Sequence, residues 1–167
     1  MRRVNMVIDT ARDSDAEALT ALINRAFLAE AWFAIGDRIT VNGVRQLLGS
    51  PAGTFFVARD GSVLVGCVWA ERRANTVGYI GLLAIEPDRQ GAGLGPALMA
   101  HAEQYLERLA CQTVEITVVN IRTELLAFYA RRGYQAGDTL PFPRPSNREC
   151  HLVRMTKAIG RESSSLR

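Results

Sequence analysis

The stretch Val77-Gly78-Tyr79-Ile80-Gly81-Leu82-Leu83-Ala84-Ile85 is apolar along its whole length and passes through Glu86-Pro87 into Gln90-Gly91-Ala92-Gly93-Leu94-Gly95-Pro96-Ala97-Leu98. A run apolar on both faces predicts a central strand covered on both sides, and Pro87 stops it. The glycines at 91, 93 and 95 let the backbone turn sharply and leave N–H groups unpartnered where a helix begins. Such a terminus holds an anion: the N–H groups donate to its oxygens, and the helix dipole adds roughly half a positive charge. Pro96 falls in the first turn, where its missing N–H had no partner to lose.

Two familiar phosphate loops are excluded by inspection. A G-x-G-x-x-G fingerprint would need glycine at 96 or at 98, and those residues are Pro and Leu. A Walker loop needs G-K-[ST], which the chain lacks. A tight turn without a ligand stays open at this point.

The remaining pattern surrounds this unit with strands and helices. Residues 4–11 read as a first strand. Asp13 or Ser14 suits an N-cap for a helix over 16–27, where Leu19, Leu22, Ile23, Ala26 and Phe27 form one stripe. Residues 31–36 read as loop or broken helix, and 41–48 as a short helix closed by Gly49. Residues 54–59 and 63–72 read as two strands joined at the turn dipeptide Asp60-Gly61. A helix over 94–109, a strand over 114–119, a helix over 124–132 closed by Gly133, and last strands over 134–137 and 149–157 follow. The Pro-rich segment 141–145 joins those two strands. An antiparallel half feeding a strand-helix-strand unit gives a mixed α/β sheet with helices on both faces, with residues 1–159 as one domain and 160–167 as a mobile tail.

With 167 residues, 48% hydrophobic and 22% charged, the chain has the material for one well-packed domain and is neither disordered nor fibrous. Its net charge of +3 comes from scattered basic residues, a balance that suits a small anionic ligand as well as nucleic acid. Cys67, Cys111 and Cys150 are far apart and lack metal spacing, so free thiols are expected and no metal site. The apolar run behind Arg2-Arg3 ends by Asp9, too short for a signal peptide, and no run reaches the ~18 residues of a membrane span. A soluble, cytoplasmic protein with no nucleic-acid or membrane partner is the expectation.

Gln90-x-x-Gly93-x-Gly95, preceded by Leu83-Ala84-Ile85-Glu86-Pro87, resembles the Q/R-x-x-G-x-G/A motif of the GCN5-related N-acetyltransferases (GNAT family). Further on, Phe128-Tyr129-Ala130-Arg131-Arg132-Gly133-Tyr134 is similar to that family's F-Y-x-x-x-G-F/Y helix end. The resemblance covers residues 52–137 best. It implies a mostly antiparallel sheet splayed at a cofactor site, with acetyl-CoA as the acyl donor. The pantetheine would lie between the strands ending near Ile85 and Val119, and the pyrophosphate on the amides of Gln90, Gly91, Ala92, Gly93, Leu94 and Gly95. Backbone groups of Leu83, Ala84 and Ile85 would face the pantetheine and thioester. Tyr129 matches the family's tyrosine near the thioester sulfur. Seven residues before it the family often has Asn, where this chain has Arg122, with Asn120 two positions earlier as a substitute cofactor contact.

The implied reaction is acetyl transfer to a primary amine of a small molecule or peptide by direct attack in a ternary complex. Rivals are a non-enzymatic acyl-CoA sensor and a nucleotide-binding domain, and a homodimer is compatible with all three. For a lysine-like amine of pKa ~10.4, losing the proton at pH 7 costs about 4.6 kcal/mol, so a base is wanted. Glu71, Glu86, Asp37 and Glu30 are the candidates. Tyr129 would donate to the departing thiolate, although its helical spacing with Leu125 and Phe128 also fits a core residue. Trp32, Phe33 and Arg144 are the candidate acceptor contacts, Arg144 through an acidic group. His101 and His151 lack paired ligands and read as ordinary surface or core residues.

Overall fold

The computed structural model describes residues 6–160. Val4 and Asn5 of the expected first strand, and residues 161–167 of the expected tail, lie outside the described residues. Strands β1 (Met6–Thr10), β2 (Gly53–Asp60), β3 (Val63–Ala74), β4 (Val77–Ile85), β5 (Thr113–Val119), β6 (Gln135–Pro141) and β7 (His151–Ala158) form one sheet in the order β1-β2-β3-β4-β5-β7-β6. Every pairing is antiparallel except β4 with β5, the two strands joined through helix α3 (Leu94–Arg108).

Both faces are covered. Alternate residues of β2 divide between them: Phe55 and Val57 pack with Leu19, Leu22 and Ile23 of α1 (Ala16–Ala26) and Val44 of α2 (Val41–Leu48). Phe56 and Ala58 pack on the other side with Leu98, Met99, Ala102 and Leu106 of α3. Leu125 and Tyr129 of α4 (Thr123–Ala130) lean on that second cluster. β3 is buried on both faces from Leu64 to Ala70, beyond the single-face alternation seen in its sequence.

Several boundaries depart from the sequence reading. Neither Asp13 nor Ser14 caps α1; residues 13–15 form a 3-10 turn, and the Asp15 carboxylate reaches back to accept from the Arg12 N–H at 2.7 Å while pairing with Arg59 at 2.6 Å. Asp60 pairs with Val63, so the hairpin loop is Gly61-Ser62, one residue on from the expected dipeptide. β6 runs to Pro141, longer than expected, because as the edge strand it tolerates a missing N–H.

Two features of β4 set up the site. It pairs with β5 only through Val77, Gly78 and Tyr79, after which the two strands part. Against β3, Gly81 faces Trp69 and Ala84 faces Cys67, so Leu82 and Leu83 together oppose Val68: a β-bulge, with Leu82 at φ +52°. A bulge bends its strand and increases its twist, which turns β4 away from β5.

Candidate functional site

The gap between β4 and β5 is a cleft of about 890 Å³. Its floor is residues 80–83 and Ile85 of β4 and residues 116–119 of β5. Beyond Tyr79 the β5-facing edge of β4 has no strand partner, so its outward N–H and C=O groups open into the cleft.

At one end lies the glycine loop. Gly91 and Gly93 have φ of +85° and +83°, a conformation that L residues with a side chain rarely adopt, and Gly93 is the N-cap of α3. Around Gly93 nothing lies within 4 Å of where a Cβ would stand, which makes a cradle open to a ligand over the first amides of a fifteen-residue helix. Gln90, Gly91, Gly93, Leu94, Gly95 and Pro96 all line the cleft, whereas Ala92 is exposed outside it. Gly95 already has helical φ, and its open side meets the Phe128 ring at 3.6 Å.

Tyr129, on α4, also lines the cleft. Phe128 packs edge-on against it with ring centres 5.0 Å apart, and Arg132 stacks on Phe128 at 3.6 Å. Burial pushes the Tyr129 phenol up to about 12; Tyr79 adds to the shift, while Arg122 and Arg132 oppose it. The hydroxyl therefore stays protonated as a donor across the physiological range. Tyr79 lines the floor, and its hydroxyl comes within 2.7 Å of where a Cβ on Gly81 would stand, so a side chain there would have to displace the Tyr79 ring.

The other end is built from side chains. Glu30, buried, accepts from Arg122 at 3.3 Å and Arg144 at 3.2 Å, and Arg122 also bonds Glu124 at 2.8 Å. Arg73 stacks over Tyr79 at 3.6 Å and is tied to Glu71 at 3.1 Å. Arg38 lies at 5.3 Å over the Phe27 ring. Two connections hold this end together. The side chain of Asn24 both accepts from the Ile39 N–H (3.1 Å) and donates to its carbonyl (2.9 Å). A bridge from Ala34 to Ser146 joins residues 33–35 to the segment carrying Arg144.

A protein-family model described as the acetyltransferase (GNAT) family matches residues 6–134. The chain belongs to that family. Its fold is that of a GNAT domain: the ribosomal-protein-S18-alanine N-acetyltransferase of Escherichia coli superposes with TM-score 0.80 at 16% identity, over 97% of this chain and 99% of that one. The paiA N-acetyltransferase of Thermoplasma acidophilum, solved in complex with coenzyme A, gives TM-score 0.75 at 16% identity over 92% and 99%. Among curated proteins, the mycothiol acetyltransferase of Geodermatophilus obscurus is 37% identical over 90 residues, covering 50% of this chain and 29% of that protein. The chain spans less than half the length of the curated relatives it matches.

Against this GNAT frame the expected residues divide. Leu83, Ile85, the loop, Tyr129, Arg144 and Glu30 meet in the cleft. Ala84 does not: it is buried in the α1–α2 cluster. Asn120 is a fastener, its Oδ1 accepting from the His151 N–H at 2.8 Å while its own N–H donates back to the His151 carbonyl. Phe33 is fully buried with Val119 and Phe142, so packing claims it and no acceptor can reach it. Trp32 is half exposed outside the lining. Glu86 is clamped by Arg25 through two bonds of 2.8 and 2.9 Å, which holds its carboxyl below the usual range, and neither it nor Glu71 nor Asp37 is among the residues that line the cleft. Arg38, Arg73 and Tyr79 carried no local signal; the fold brings them to the site from the segment before α2, from β3 and from β4.

Proposed function

We propose that this GNAT domain transfers an acetyl group from acetyl-CoA to a primary amine by direct attack while both are bound. The observation that carries the reading is the unpaired edge of β4, flanked by the positive-φ glycine loop, with Tyr129 lining the same cleft. The residues present suit the donor: amides of Gln90 to Gly95 for the pyrophosphate, and the open groups near Leu83 and Ile85 for the pantetheine. Acetyl-CoA supplies the thioester carbon and a thiolate leaving group. N–H groups on the free β4 edge can donate to the carbonyl oxygen as charge builds there.

Tyr129 acts as a hydrogen-bond donor to the sulfur. With a phenol pKa of about 12 against ~8.5 for a thiol, complete proton transfer is uphill by about 5 kcal/mol, whereas a bond to the growing negative charge needs no transfer. The guanidiniums of Arg38, Arg73, Arg122 and Arg144 favour the neutral, nucleophilic form of an incoming amine through like-charge repulsion. Free thiols at Cys67, Cys111 and Cys150 support a reducing, cytoplasmic setting, and among the described residues no helix is long and apolar enough to cross a membrane. The test is thiol release from acetyl-CoA across a panel of amines. Amine-dependent release at rates well above hydrolysis is expected; tight acetyl-CoA binding without release for any amine would contradict transfer.

A further inference from the structure

The acceptor end of the cleft carries more positive charge than its own carboxylates neutralise. Arg38, Arg73, Arg122 and Arg144 line it, with Glu30 and Glu124 as the facing acids. Glu30 is shared between Arg122 and Arg144, Glu124 is bound to Arg122, and Arg73 is held by Glu71 from outside the lining. Arg38 has no carboxylate within 4 Å among the described residues. It is half-buried, and burial together with the charge of Arg144 outweighs the more distant attraction of Tyr79 and Glu30, so its pKa is held below the ordinary arginine value. A partly desolvated guanidinium with no carboxylate in contact is costly, and the negative charge of a ligand would offset that cost.

The backbone beside Arg38 is held in place. The two bonds from Asn24 lock the backbone of Ile39 next to it, and its guanidinium lies over Phe27. A planar fork held this way matches a carboxylate in bidentate fashion. The same wall disfavours an acceptor whose only charge is its ammonium, because that ammonium would enter a field of guanidiniums with no free acid to meet it. A zwitterion resolves the conflict, its carboxylate going to Arg38 and its amine toward the β4 edge.

We propose that the acceptor is a small amine that also carries a carboxylate, bound through Arg38. This rests on the acetyl-transfer reading, and the two are separable by experiment. The twenty amino acids and their α-amides are first titrated calorimetrically into the protein saturated with free CoA, a complex that cannot turn over. The same pairs are then assayed with acetyl-CoA. At least one acid is expected to bind, and to react by kcat/KM, tenfold or more better than its amide. In Arg38→Gln the acid-to-amide ratio should fall to about one, with partial recovery in Arg38→Lys, and acetyl-CoA affinity serving as the check on folding. Equal acids and amides, a ratio unmoved in Arg38→Gln, or a preference for carboxylate-free amines such as peptide N-termini would overturn the proposal while leaving acetyl transfer intact. Absence of acetyl-CoA binding would instead strike the acetyl-transfer reading.

Discussion

The two ends of the cleft are built from different material. The glycine-loop end is made of backbone: positive-φ glycines, helix amides and an unpaired strand edge, all within one continuous stretch from Val77 to Pro96. The acceptor end is made of side chains from distant places, with Glu30 bonded to residues 92 and 114 positions further along. A backbone site tolerates side-chain change but not a new φ requirement; a side-chain site can change its ligand by exchanging one residue.

Five substitutions test this contrast. The largest effect is expected at Tyr129, between the two ends. Tyr129→Phe should keep fold and acetyl-CoA affinity, since the ring still packs on Phe128, while kcat falls roughly 10- to 1000-fold. A kcat within twofold, with chemistry rate-limiting, would reduce the residue to core. Next is Gly93→Val, where a β-branched residue must adopt φ +83° and obstruct the cradle; acetyl-CoA binding should weaken about tenfold or more, against a smaller loss for Gly95→Ala, whose φ is already helical. Equal losses would mean that the conformation of Gly93 does not matter.

Glu30→Gln attacks the other end. It leaves Arg122 and Arg144 short of a charge partner, so stability should drop by about 1–3 kcal/mol and the acceptor KM rise several-fold, with acetyl-CoA affinity changing less than about threefold. A large loss of acetyl-CoA affinity would merge the two ends into one. The smallest effect belongs to Glu86→Gln. The Arg25 bond lowers the folded pKa of Glu86, so the stability it contributes is present above the unfolded value near 4.5 and fades as pH falls below it. With Arg25 half exposed the pair is worth less than about 1 kcal/mol, and the substitution should leave kcat within about twofold while flattening the acid limb of a pH–stability curve. A hundredfold loss of kcat would restore Glu86 as the base.

The same contrast explains what could be read from the sequence. Alternation in β2, the doubly apolar β4 and the loop glycines are local signals, and each led to the right element. The bulge at Leu82 left none, because a non-glycine residue at φ +52° is imposed by pairing to β3 and not by its own preference. Phe33 and Arg38 show the limit at the acceptor end. An aromatic in an irregular segment looks like a binding residue until the fold buries it, and an arginine looks like surface until the 33–39 segment is pinned by Asn24 and by the Ser146 bridge. Asn120 shows the limit of a motif carried over with a shift of two residues: its side-chain oxygen is spent on holding the end of β5 to the start of β7.

Hydrogen exchange with and without acetyl-CoA tests the central claim most directly, because it reads the backbone that the donor end is made of. The expected result is slowed exchange over residues 80–85 and 90–96, with little change over 33–39 and 141–148. Protection confined to those acceptor segments, or none at saturating acetyl-CoA, would contradict a donor site built on the free edge of β4 and the glycine loop.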